Sequence, residues 1–462
     1  MALDGSLERL RREGHIVVVG ASLAGLRAAE TLREEGFTGT LTMIGDEPHE
    51  PYDRPPLSKQ VLLGLVPVDR TALPRRRAID ARWRLGVAAT ALDMAAKRVT
   101  LADGTSVEYD RLLIATGVRS RPWPNELEAG LDGVFVLRTT DDAARLVHRL
   151  RAGPRRVLVI GAGFTGSEIA SVCRERELPV TVAERGPAPL VGALGGVIGE
   201  VAAELQHQYG VDLRCGVMVT GLEGDGAGRL RRAHFSDGDA LDAEVAVVAL
   251  GATRNTEWLA GSGLAAGPRG IACDAGCRAF DVRGIVSDDV FVAGDVARSP
   301  HPLFGYQFLS LEHWGNAVAQ AEVAAHNMIS PGERRRPHLW TPYFWSAQFG
   351  RNIKSVGVPN MADQILVSQG SLSEHRFTAV YGYQGRVIAA VTFDQAKWLE
   401  FYQRQIERAA PFPLPFTTVD RRTEGMRPVP AGFPDPSVPS HGPEVTVSGH
   451  SPTDQRVTFT PA

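Results

Sequence analysis

The sequence predicts an α/β protein built on two parallel, nucleotide-binding sheets and closed by a smaller antiparallel part. Two observations carry this. Residues 15–50 and residues 155–185 each read as apolar strand, glycine turn, helix, second strand and a carboxylate where that strand stops. Past residue 340 the pattern becomes an alternation of apolar and polar positions between glycine turns, which suits an antiparallel sheet.

In the first unit, residues 15–19 are a short β-branched apolar run. Gly20-Ala21-Ser22-Leu23-Ala24-Gly25 follows directly and opens a helix whose unpaired N–H groups can hold a pyrophosphate. Residues 41–44 form the next strand. Asp46 at its tip lies roughly 20 residues past the glycines, where an acid can take the hydroxyls of an adenosine ribose. Ser22 stands where the middle glycine of the pattern belongs. The second unit carries the full pattern, Gly161-Ala162-Gly163-Phe164-Thr165-Gly166, after the strand 157–160, with Glu184 as its acid just past the strand 180–183. Two such units imply two dinucleotides, and a chain that binds two passes electrons between them.

The 462 residues suffice for two to four domains, and 44% hydrophobic composition supports sizeable cores. A formal charge of −3 without a long basic run excludes general nucleic-acid binding. The first residues lack an apolar signal core, and runs such as 245–250 are too short to span a bilayer, so a soluble cytoplasmic protein without membrane contact is expected. Four cysteines, at 173, 215, 273 and 277, include no Cys-x-x-Cys and no His/Cys cluster at metal-ligand spacing, so no metal is expected. They read as ordinary packing residues.

Along the chain, residues 51–59 form a proline-stiffened loop that positions its side chains. A pair of short strands follows in 85–101, and the apolar strand 111–117 ends in Ala115-Thr116-Gly117. The run 245–251, ending at Gly251, repeats that strand-then-glycine exit. Helices are expected at 141–150, 166–177 and 196–209. Residues 289–295 form a strand ending in Gly294-Asp295, and 311–328 read as an Ala-rich helix. These segments assign 1–118 and 247–330 to a first domain interrupted by a second at 119–246, followed by a small α+β domain at 331–410 that a helix at 395–408 closes. The remaining 411–462 hold 11 of the 30 prolines without sustained periodicity and read as an extended or disordered extension.

Taken in order, Gly20 to Gly25, Arg54-Pro-Pro-Leu-Ser-Lys59, Ala115-Thr-Gly117, Gly161 to Glu168, Gly294-Asp295 and Glu312-His313-Trp314-Gly-Asn316 resemble the FAD-dependent NAD(P)H:ferredoxin reductases of the glutathione-reductase structural class. The resemblance spans residues 15–408, and the Pro-Pro-Leu-Ser-Lys loop is its specific part. It implies two Rossmann-type domains, one for FAD and one for NAD. Ala24 would then lie near the FAD pyrophosphate, Asp46 on the ribose, Ala89 by the adenine and Arg138 near the phosphates, with Asp295 on a ribityl hydroxyl and Trp314 beside the flavin. Lys59 would pair with Glu168 between flavin and nicotinamide, where a fixed cation stabilises the negative charge that hydride transfer leaves. Arg54, Thr116, Gly117, Gly251, Gly294, Glu312 and His313 join the implied cofactor-binding set.

A carboxylate at Glu184 accepts from the free 2′-hydroxyl of NADH and repels the 2′-phosphate of NADPH, so NADH is expected as donor. No cysteine occurs in the first unit or its loop through Gly64, so electrons do not leave through a thiol beside the flavin. An iron-sulfur ferredoxin serving a cytochrome P450 or a Rieske-type oxygenase is the expected acceptor. Two further readings stay open: a flavin NADH oxidase or quinone reductase, and a nucleotide-sensing protein resembling apoptosis-inducing factor. The chain is expected as a monomer or homodimer. Arg75, Arg76, Arg77, Arg82 and Arg84 either steer an acidic ferredoxin or line a solvated helix face. Trp345-Ser346-Ala347-Gln348 resembles the family's Trp-Ser segment, which often carries an acid where Ala347 stands. Trp340, Phe344 and Trp345 fit either a cover for the flavin edge or the aromatic core of the small sheet.

Overall fold

The computed structural model describes residues 2–414 and three short strands beyond them, Met426–Pro428, Glu444–Ser448 and Arg456–Thr460. The apolar run His15–Val19 lies inside a six-stranded sheet, in the order Arg278–Phe280, Val286–Val292, Arg111–Ile114, His15–Val19, Thr40–Gly45, Arg82–Leu85. Its central pairings are parallel, with Ile16 opposite Leu41 and Val17 opposite Leu112. Strands buried on both faces read as continuous apolar runs, which is why Val17 and Val18 are both fully buried. The second run, Val157–Ile160, repeats the arrangement in a five-stranded sheet, with Val159 opposite both Val182 and Val247.

The chain leaves the first sheet after Arg111–Ile114 and re-enters it at Val286–Val292, where Val290 pairs with Leu112. Its outgoing and returning segments, Val118–Ser120 and Ala252–Arg254, run antiparallel against each other, with Ser120 opposite Ala252. The five-stranded sheet is thus inserted in the sequence of the six-stranded one.

The C-terminal part is an antiparallel sheet in the order Tyr343–Gln348, Arg351–Gly357, Arg386–Phe393, Arg376–Tyr383, Gln364–Ser371, Met426–Pro428, with the helix Leu399–Glu407 beside it. One apolar core joins this sheet, through Val380, Tyr381 and Ala389, to Ile198, Val201 and Leu205 of the helix Gly196–Gln208. Tyr381, fully buried, donates its hydroxyl to the Leu194 carbonyl at 2.6 Å. The small sheet is therefore bonded to the second nucleotide unit.

Three expectations are corrected, and one helix is added. The Ala-rich helix begins at Trp314, so Glu312 and His313 precede it, with His313 at its N-cap in an extended conformation. Residues 75–81 form no helix, and Arg82 and Arg84 lie on the edge strand Arg82–Leu85, so the solvated-helix alternative fails. A helix, Ala2–Glu13, precedes the first strand. Within the expected tail, Met426–Pro428 pairs with Gln364–Ser371, and Glu444–Ser448 with Arg456–Thr460. Val445-Thr446-Val447 and Val457-Thr458-Phe459 are the β-favouring runs responsible. The remainder of that extension, from residue 415 on, lies outside the described residues.

Candidate active site

Both glycine turns put a helix N-terminus against the end of its own sheet. Gly20 has φ +118°, and a Cβ there would overlap the backbone of Ala115; a Cβ on Gly25 would overlap the Gly20 carbonyl oxygen. Gly161 and Gly166 repeat both constraints, against Ala249 and Gly161. The helices Leu23–Glu34 and Phe164–Glu175 consequently start hard against their strands, with no side-chain cap at Ser22 or Gly163, and their first N–H groups stay available for an anion. Ala24 packs under this turn, and a Cβ on Gly294 would come within 3.2 Å of the Ala24 methyl.

Around the first turn the residues predicted to bind a dinucleotide converge. Arg138 faces Asp295 at 3.0 Å. Arg54 donates to the Arg138 carbonyl at 2.9 Å and to the Tyr52 hydroxyl at 2.7 Å, and it pairs with Glu47, to which Tyr52 also donates. Thr116 and Asn255 exchange hydrogen bonds of 2.9 and 2.8 Å, fixing the strand exit before Gly117 to the returning segment after Gly251. Glu312 pairs with the buried Arg254 at 2.8 Å. Asp46 is exposed at the tip of Thr40–Gly45, and Ala89 opens the strand Ala89–Asp93.

Two buried nitrogens here, Arg138 Nε and His313 Nδ1, have no hydrogen-bond partner among the described residues. Burial holds the His313 ring neutral, with its pKa lowered to about 4. A donor that lacks a partner, a neutral imidazole, an arginine–carboxylate pair and a glycine cradle match the phosphates and hydroxyls of FAD. The residues fit the cofactor.

Between the two units lies a buried polar group. Lys59 Nζ is 2.6 Å from Glu168 Oε2, with side chains 14% and 7% exposed. Ser58 donates to the same oxygen at 2.5 Å, and Lys59 Nζ lies 3.2 Å from Ser58 Oγ. The other oxygen, Oε1, accepts from Ser346 Oγ at 2.6 Å, and Gln348 Nε2 donates to Ser346 at 3.1 Å. The prolines explain the lysine's position: Pro55–Ser58 forms a single 3₁₀ turn, and Lys59 leads straight into the short helix Gln60–Leu63. Glu168 sits one turn into the second glycine helix, beneath Phe164 and Thr165.

The sequence reading missed Ser58 and Ser346 as partners of Glu168, and Gln348 as the donor that holds Ser346. It also missed Asp53, which accepts from Trp314 Nε1 at 2.9 Å and whose carboxyl burial raises above its ordinary value. Asp53 and Ser58 flank residues in the recognised loop. Ser346 and Gln348 lie about 180 residues away from Glu168, and only the fold brings them near.

Trp340, Phe344 and Trp345 are not part of the small sheet's buried core and pack instead on residues of the two nucleotide units. Phe344 packs on Phe164 with ring centroids 4.0 Å apart and on His313 at 5.8 Å; Trp345 meets Trp314 edge-to-face at 6.3 Å. Trp340 lies 6.5 Å from His313. The core of the small sheet is a different pair, Phe377 stacked on Phe393.

Glu184 ends the strand Val180–Glu184, and its two oxygens accept from the Ala162 and Gly186 amides at 2.7 and 2.6 Å. Of the basic stretch, Arg75 pairs with Glu50 and packs over Trp83, and Arg76 pairs with Glu322. All four cysteines are free; burial pushes the Cys173 thiol up to about 12 and Cys215 to about 11. Among the described residues no cluster suited to a metal and no helix long and apolar enough to cross a membrane is found.

The family model for pyridine nucleotide-disulphide oxidoreductases matches residues 14–321, and the one for the reductase C-terminal domain matches residues 343–423. Rhodocoxin reductase of Rhodococcus erythropolis is 36% identical over 370 residues, covering 79% of this chain and 82% of that one. The ferredoxin–NAD(+) reductase component of the anthranilate 1,2-dioxygenase system of Burkholderia cepacia is 34% identical over 399 residues, or 85% and 94%. Among solved structures, the covalent putidaredoxin reductase–putidaredoxin complex superposes with a TM-score of 0.80 at 28% identity, over 87% of this chain and 94% of that one.

Proposed function

The chain belongs to the pyridine nucleotide-disulphide oxidoreductase family, and on that premise we propose that it is an FAD-dependent NADH:ferredoxin reductase. The ferredoxin carries an iron-sulfur cluster and serves a cytochrome P450 or a Rieske-type oxygenase. The observation that supports this most directly is the buried Lys59–Glu168 pair between the two glycine helices. Relatives named as ferredoxin reductases, over most of their length, support the choice of partner.

FAD, when bound, would supply the chemistry that joins two-electron hydride acceptance from NADH to one-electron release. The chain's own residues prepare for that. The first N–H groups of Leu23–Glu34 and the Arg138 guanidinium would hold the cofactor's phosphates, and Asp295, oriented by Arg138, would accept from its ribityl chain. The corresponding N–H groups of Phe164–Glu175 hold the nicotinamide nucleotide, with Glu184 as the carboxylate that favours NADH. Glu168 fixes the Lys59 ammonium at the junction, where water is largely excluded and a point charge acts at low effective dielectric. Phe164, one turn before Glu168, packs on Phe344, and Trp314 meets Trp345, the neighbour of Ser346. With its thiols held protonated by burial, the chain sends electrons out through a separate carrier.

The division into 1–118 with 247–330, 119–246 and 331–410 belongs to this reading; the two parallel sheets support it, while Met426–Pro428 adds a strand to the C-terminal sheet from beyond residue 410. A cytoplasmic location and a monomeric or homodimeric state complete it. The test is a spectrum of the purified protein before and after NADH, followed by mixing with host ferredoxins. A yellow protein bleached by NADH and reoxidised fastest by a ferredoxin supports the proposal. Oxygen or a quinone as the fast acceptor identifies an oxidase instead, and a long-lived charge-transfer complex with an NADH-dependent change in mass identifies a nucleotide sensor. A protein that takes up no FAD refutes all three.

A further inference from the structure

The strand Tyr343–Gln348 and the turn after it are bonded to the second glycine helix at two points about one turn apart. Ser346 Oγ donates to Glu168 at 2.6 Å, and three residues on in both segments the Phe349 amide donates to Ser171 Oγ at 2.7 Å. Residues i and i+3 of a helix share a face, so both contacts fall on one stripe. Phe349, 1% exposed, is buried in the core of the second nucleotide unit, and it and Gly350 reach this position through left-handed backbone, with φ +51° and +67°. A side chain on Gly350 would press on the Tyr209 hydroxyl. The turn is thus plugged into the unit that carries Glu168.

Glu168 is held by three elements at once: the proline loop through Ser58 and Lys59, its own helix, and the C-terminal sheet through Ser346. Oε2 takes the loop's donors and Oε1 takes the sheet's, so the carboxylate plane is fixed from both sides. Ser346 is 1% exposed and is itself held by Gln348. A hydroxyl donated to a carboxylate is a charge-assisted bond, among the stronger ones a side chain makes.

We propose that Ser346 is a positioning residue for hydride transfer: the C-terminal domain, through this hydroxyl, orients Glu168 and thereby the Lys59 ammonium. This rests on the reductase reading above. It gives the C-terminal sheet a part in the reductive half-reaction.

The test compares Ser346→Ala, Ser346→Thr, Gln348→Met and Lys59→Met in the FAD-loaded full chain. Stopped flow reads the limiting rate of flavin reduction and the NADH concentration at half-saturation; the flavin difference spectrum on adding NAD⁺, FAD content and melting temperature are read beside it. Ser346→Ala is expected to lower the limiting rate by about tenfold or more, as small misplacements at a reacting centre do, with half-saturation changed less than twofold. Its NAD⁺ difference spectrum is expected to change while FAD content stays at the parent's. Ser346→Thr restores the rate, and Gln348→Met falls between. A Ser346→Ala protein with the parent's limiting rate and spectrum, alongside a slow Lys59→Met, overturns the inference and leaves the reductase reading standing. An unchanged Lys59→Met rate overturns the reading of the pair itself. If Ser346→Ala fails to hold FAD, Gln348→Met decides: a parental limiting rate there overturns the inference.

Discussion

Removing the Lys59 charge separates what the buried pair does for the fold from what it does for the reaction. At 2.6 Å and an effective dielectric near 20, the two charges attract by roughly 6 kcal/mol. Desolvation of side chains 14% and 7% exposed opposes this, so the pair as a whole adds little net stability. Losing one partner is different, because it leaves the other charge buried; such truncations cost about 3–5 kcal/mol. In Lys59→Met, Glu168 keeps the hydroxyls of Ser58 and Ser346, which places the loss near the lower end, about 3 kcal/mol. Glu168→Gln leaves the ammonium beside neutral partners, at a similar cost. The double variant, with no charge stranded, is expected within about 1 kcal/mol of the parent. Urea unfolding followed by tryptophan fluorescence gives the midpoints, and the diagnostic is their order: the double variant unfolds at higher urea than either single. Flavin reduction by NADH stays slow in both proteins that lack Lys59, so stability returns without the rate. Single variants that each lose under about 1 kcal/mol, with a double that loses their sum, would falsify the idea that the two groups are coupled.

Three further outcomes follow from the geometry. Gly25→Ala, whose methyl would overlap the Gly20 carbonyl oxygen, is expected to lose bound FAD, whereas the equivalent Gly166→Ala keeps FAD and loses reduction by NADH; absorbance ratios and stopped flow check both, and a shared phenotype counts against two separate nucleotide sites. Glu184→Ser is expected to narrow the ratio of kcat/KM between NADH and NADPH from on the order of tenfold or more toward unity; a parent that prefers NADPH shows the assignment of Glu184 to be mistaken. His313 and His338 are buried neutral, lowered by burial to about 4 and about 3, while an unfolded chain titrates them near 6.5. Their contribution to stability is therefore complete above about pH 6.5 and is lost as pH falls toward 4 and below, about 2 kcal/mol for each at pH 5. Melting temperatures at pH 7 and pH 5 measure this, and His338→Asn should flatten the difference; an equally steep fall in that variant removes His338 from the account.

What could be read in the sequence was local chemistry. His15–Val19 and Val157–Ile160 are β-branched runs followed at once by glycines that no other residue replaces without overlap, so strand, turn and helix were fixed by neighbours in the chain. The proline loop was legible for the same reason, since its φ angles are set residue by residue. Arg82–Leu85 was not, because it is an edge strand whose Arg-Trp-Arg-Leu carries an exposed Arg82 and a half-buried Arg84 in place of an apolar run. Lys59 and Glu168 were paired only through resemblance, being 109 residues apart, and nothing in the spacing says that their side chains meet.

Ser346 marks the limit more sharply. In sequence it is one hydroxyl in an alternating strand, where a buried serine has many ordinary explanations. Its role emerges because the small sheet is bonded to the Gly196–Gln208 helix, which sets the sheet against the second unit, and because the Phe349 turn plugs beside Ser171. Those two attachments dictate which residue of Tyr343–Gln348 faces Glu168. Shifting the strand by one residue would present Trp345 or Ala347, neither of which can donate a hydroxyl. The carboxylate's orientation is thus a consequence of how the third domain packs, and substitutions in the Phe349 plug should be felt at Lys59.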